Sequence, residues 1–75
     1  MRYIYLNIVM QIVTVCDVPS EEYGELIGTS SVWDHAKPTT KKFIIASMIQ
    51  NSPHKGMTGI RIEDCDAPKP ENPNQ

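Results

Sequence analysis

The chain has few of the residue patterns that carry chemistry. Its two cysteines, Cys16 and Cys65, and two histidines, His35 and His54, are far apart in sequence. None forms the close pair of a zinc knuckle or a two-histidine helix, so no metal site is expected. There is no nucleophile elbow and no glycine-rich phosphate cradle, and neither the cysteines nor the serines of "TSS" have a base at a recognisable spacing. Catalysis and a cofactor are not expected.

Positive charge is also scarce, with seven Lys and Arg against nine Asp and Glu. Lys37, Lys41, Lys42 and Lys55 make at most a small basic group, and aromatic residues for base stacking are few at 7%. Direct nucleic-acid binding is therefore not expected. A long apolar run is missing too. The opening stretch "MRYIYLNIVMQIVTVC" is broken by Asn7 and Gln11 and falls short of the ~20 apolar residues that a spanning helix needs. Val15 is a poor residue before a lipid-modified cysteine, so export is not expected either. Two cysteines permit one disulfide if the first and last strands lie side by side, but no secreted-type framework. Reduced, packed cysteines and a cytoplasmic location are the expectation.

With 75 residues the chain can build one core, and a domain near this size buries only about 60% of its unfolded surface. Its margin of stability is small, so that a partner, a homodimer or a disulfide could matter to it. A deep catalytic cleft would consume much of that core.

The first sixteen residues read as one long strand. Ile4, Leu6, Ile8, Met10, Ile12 and Cys16 share one parity, with only Thr14 polar among them. "DVPSEEYGE" then turns the chain, and a diluted strand is expected over residues 25–33. A helix is expected from Pro38 or Thr39 to "NSP", with Ile44, Ile45, Met48 and Ile49 on its inner face. Lys41 and Lys42 near its start oppose the helix dipole and call for a nearby acid. "HKGMTG" turns again, and residues 59–65 form the last strand, with Ile60 and Ile62 inward and Arg61 and Glu63 outward. The expected fold is α+β: a three-stranded antiparallel sheet packed on one helix, in the order β-β-α-β, as a single domain over residues 1–66. Residues 67–75, "APKPENPNQ", read as a disordered proline-rich tail.

Acids gather at Asp17, Glu21, Glu22 and Glu25 and again at Glu63, Asp64 and Asp66, while bases dominate residues 37–55. Such bipolarity describes a solvated surface of mixed sign or a patch that steers a protein partner. Glu63 and Asp64 point to opposite faces of a regular strand and cannot converge as a catalytic pair. If the last strand is an exposed edge, its backbone groups, Arg61 and the acidic rim together offer a docking surface. Charges on edge strands also serve simply to prevent aggregation.

The stretch "IQNSPHKGMTGIRIEDCDAPK", residues 49–69, resembles the C-terminal part of the small early transcription inhibitors of short-tailed coliphages, which bind the jaw of the host RNA polymerase β′ subunit. The matching positions are Gln50, Pro53, Gly56, Arg61, Cys65, Ala67, Pro68 and Lys69, with Ile62 conservative and one extra residue in the turn. The first half of the chain matches that family only in layout. The resemblance implies a non-enzymatic bacteriophage protein that works in the host cytoplasm and blocks transcription by occlusion. In the family, two outward arginines on the last strand carry the contact and acidic side chains assist. Arg61 takes the first arginine position, and Glu63 stands at the second. The implied partner-binding set is Arg61, Glu63, Asp64 and Asp66. Two alternatives stand beside it: another anti-defence inhibitor of the anti-CRISPR kind that uses its acids, or a small nucleic-acid-binding protein.

Overall fold

The computed structural model describes residues 1–65. The expected tail, 67–75, and the expected site residue Asp66 lie outside the described residues. Four strands, β1 (Arg2–Asn7), β2 (Ile12–Cys16), β3 (Glu25–Ser30) and β4 (Arg61–Asp64), form one sheet in the order β3-β1-β2-β4, and one helix, α1 (Pro38–Gln50), joins β3 to β4. The α+β class holds, but the expected three-stranded antiparallel sheet does not. The first sixteen residues form a hairpin in place of one strand, and β4 runs parallel to β2.

The hairpin turn is built without glycine or proline. Asn7 ends β1, and its side-chain Oδ1 accepts the backbone N–H groups of Val9 and Met10 at 3.1 and 3.0 Å, the Asx turn that Asn favours. Gln11 closes the loop in the left-handed region at φ 57°. Ile4 pairs with Val15 and Leu6 with Val13, so after the turn the core is drawn from the opposite parity. Ile4, Leu6, Val13 and Val15 are all buried with Trp33, Ile45 and Ile49, each aliphatic side chain contributing about 1.5–3 kcal/mol. Cys16, expected on the face of Ile4, instead lies on the other one with Tyr3 and Tyr5.

Both faces of the sheet are covered over β1. On one side α1 packs its inner face, and Met48 lies directly over Gly28, where an added Cβ would meet its sulfur at 2.9 Å. On the other, residues 17–24 cross from β2 over β1 to reach β3. Their path is held by the Ser20 N–H, which donates to the Tyr5 hydroxyl at 2.7 Å. That crossing leaves Tyr5 only 5% exposed. Gly24 ends it at φ 114°, with the Leu6 carbonyl where a side chain would sit.

The helix bounds agree with the sequence. Pro38 opens it, suited to a first turn whose N–H groups need no partner, and at its end the Ser52 hydroxyl donates to the Ile49 carbonyl at 2.7 Å. No acid stands in the first turn. Lys41 instead lies over the ring of Trp33, 5.3 Å from its centroid, a cation–π contact. Because β3 and β4 run the same way, α1 acts as the crossover that parallel strands require. No helix among the described residues is long and apolar enough to cross a membrane.

Cys16 and Cys65 form a disulfide, with their Cα atoms 5.2 Å apart. This replaces the expected pair of reduced, packed thiols. The parallel register places Val15 beside Asp64, and the next residue on each strand is a cysteine. The separation lies within the range that a bridge spans.

Candidate interaction surface

β4 is an edge strand, as the docking surface requires. The Arg61 N–H donates to the Gln11 carbonyl and the Cys65 N–H to the Val15 carbonyl, at 3.0 and 3.1 Å. Alternate residues of a parallel strand face alternate neighbours, so Ile62 and Asp64 turn their backbone groups to the open side. No other strand among the described residues pairs there.

Side chains divide the same strand into two surfaces. Arg61 and Glu63 share the face away from α1, where Arg61 Nε lies 3.1 Å from Glu63 Oε2; their side chains are 71% and 48% exposed. An ion pair this exposed contributes about 1 kcal/mol at most. Ile62 lies on the helix side, packed against the core.

Asp64 is also on the helix side, separated from Arg61 and Glu63 by the sheet. Its Oδ1 lies 3.4 Å from Arg2 Nη1, and Arg2 also holds Asp34 Oδ1 at 2.9 Å through Nη2. The Arg2 side chain is largely buried while both carboxylates remain half in solvent. This triad ties β1, the short 3₁₀ turn (Trp33–His35) and β4 together. Of the four residues expected at the contact, the fold thus brings Arg61 and Glu63 together and gives Asp64 an intramolecular role.

Two features escaped the sequence reading. The hairpin tip projects Ile8, Val9 and Met10 into solvent, with Val9 88% exposed. Beside it, an open groove of about 740 Å³ runs between α1 and residues 56–62, its walls including Ile45, Ile49, Met57, Ile60 and Ile62. The signal for the tip was Asn7, an Asx-turn former inside an apolar stretch. Nothing local announces the groove.

No cluster of three or more metal-ligating side chains occurs among the described residues. His54 Nε2 meets Glu25 Oε1 at 2.8 Å, a contact that fastens the loop after α1 to the start of β3. Comparison with family models, with curated proteins and with solved structures finds no match.

Proposed function

We propose that the chain is a small non-enzymatic inhibitor that docks on another protein through the open edge and outer face of β4, in the manner of a phage protein acting on its host. Bacterial RNA polymerase, through its β′ subunit, is the first candidate because of the resemblance carried by residues 49–69, with Arg61 at a contact position. The observation that carries the docking reading is the edge position of β4, with exposed Arg61 and Glu63 flanking Ile62, whose backbone groups turn away from β2. Edge backbone supplies affinity in strand addition, and flanking side chains supply selectivity. The Arg61–Glu63 pair is exposed enough to exchange partners at little cost. The proposed site of action is the host cytoplasm, and occlusion of DNA or of a conformational step is the proposed means.

An inhibitor of the anti-CRISPR kind would rely on bare acidic charge. Glu63 and Asp64 each lie against an arginine of their own chain, which favours the edge-docking reading over that one. Direct nucleic-acid binding is disfavoured by the same acids.

The test is capture from bacterial lysate with the purified chain, followed by transcription in vitro. Polymerase subunits should be retained and transcription should fall. Arg61→Ala should weaken both effects, and Glu63→Arg should strengthen them if the partner surface is acidic. No polymerase captured and unchanged transcription would overturn the polymerase assignment.

A further inference from the structure

The hairpin tip and the groove lie side by side at one end of the molecule. The Arg61 N–H bonds to the Gln11 carbonyl, and Gly59, a groove residue, faces the Gln11 side chain closely enough that an added Cβ would lie 3.9 Å from its Oε1. The tip is a knob of three consecutive apolar side chains, Ile8, Val9 and Met10. It is held out from the sheet by the two Asn7 bonds, the left-handed Gln11 and the β1–β2 pairing. A turn in water is ordinarily made of Gly, Asn, Asp or Ser, and three adjacent apolar side chains left in water mark a contact surface. The groove is an open trough walled largely by aliphatic side chains, with no carboxylate in its lining among the described residues.

From this juxtaposition we infer that the chain forms a two-fold symmetric dimer in which each hairpin tip inserts into the groove of the other copy. Two-fold symmetry needs a self-complementary patch, in which one residue set on each copy meets the other set on its partner. A knob and a hole placed next to each other meet that condition. The tip carries no charge, and among the described residues Lys42 is the only charged one lining the groove, so insertion brings no like charges together. A small ligand would leave the tip uncovered. The groove's volume is within the range of built binding sites, and its open side admits a neighbouring chain. Arg61 and Glu63, on the opposite face of the sheet, stay exposed in such a dimer, so the inference goes beyond the docking reading and does not depend on it.

Sedimentation equilibrium of the full chain, from micromolar to millimolar concentration, tests this. A monomer–dimer equilibrium is expected. Val9→Asp on the tip and Ala46→Glu at the groove wall should each weaken it by at least about tenfold. Val32→Asp, an exposed apolar site at the other end of the sheet, should leave it unchanged. Val9 and Ala46 are both exposed, so circular dichroism should show each variant folded. A chain that stays monomeric throughout, or a dimer that survives either the tip or the groove substitution, overturns the inference.

Discussion

The two ends of the sheet are built on opposite terms. At the end where β1 begins and β4 finishes, Arg2 bridges Asp34 and Asp64, and Cys16 is bonded to Cys65. Charge and covalent bonding there are satisfied within the chain. At the end of the hairpin tip, the backbone is ordered by Asn7 and Gln11, yet Ile8, Val9 and Met10 remain in water beside an open apolar groove. A small domain with little core to spare has placed its disulfide and its Arg2 triad together at one end. The other end, fastened by the His54–Glu25 contact, is the one that offers apolar surface to another molecule.

Removing the disulfide should have the largest effect on this contrast. Its sequence separation is 49 residues, for which the chain-entropy model gives about 4 kcal/mol of stabilisation. Urea titration with and without reductant, and of the Cys16→Ala/Cys65→Ala variant, should show a loss of roughly 2–5 kcal/mol. Hydrogen exchange should quicken first in β4. The same experiment bears on the proposed site of action, since cytosol keeps most protein thiols reduced. A reduced chain that is unfolded at physiological temperature would rule out a cytoplasmic inhibitor that acts as this fold. A reduced chain that keeps its fold would mean that the core and the Arg2 triad suffice.

Arg2→Met should have the next largest effect. Methionine retains an apolar stem of similar reach while the guanidinium is lost, leaving two half-exposed carboxylates without this partner. A loss of about 1–2 kcal/mol is expected, because the pairs are partly screened by water but the Arg2 side chain is largely buried. Salt should narrow the gap between wild type and variant. If Arg2→Met costs more than losing the disulfide, the cross-linking of this end is mainly ionic and the ranking of its two fasteners is reversed.

What was legible in the sequence follows from how local each signal is. Helix α1 was readable from Pro38 to Asn51 because start signal, period and stop signal all lie within it. The outward side of Arg61 and Glu63 was readable from strand alternation alone. The β1–β2 hairpin was not, because its turn is made of Ile8, Val9, Met10 and Gln11, residues that continue a strand pattern, and the reversal exchanges which parity is buried. That error hid a strand, and with it the parallel pairing of β2 with β4 that sets Cys16 beside Cys65. The Arg2–Asp64 contact joins residues 62 apart, and the groove is assembled from a helix and a loop. Neither has a signature in any one segment.

The smallest expected effect is at the other end, with Gln11→Gly. Gln11 holds φ at 57°, a conformation that costs an L residue about 1–2 kcal/mol and glycine almost nothing. Glycine also gives the unfolded chain more freedom, which offsets about 0.4–1 kcal/mol of that relief. The difference leaves a net stabilisation of about 0.5 kcal/mol, readable as a small upward shift of the urea midpoint with the slope unchanged. The sign decides more than the size. A gain means that the tip is ordered by backbone geometry alone, and that a residue other than glycine is tolerated there at a slight cost. A loss means that the Gln11 side chain, beside Gly59, anchors the tip against the groove loop, and the contrast between the two ends would then be smaller than the Arg2 triad and the disulfide suggest.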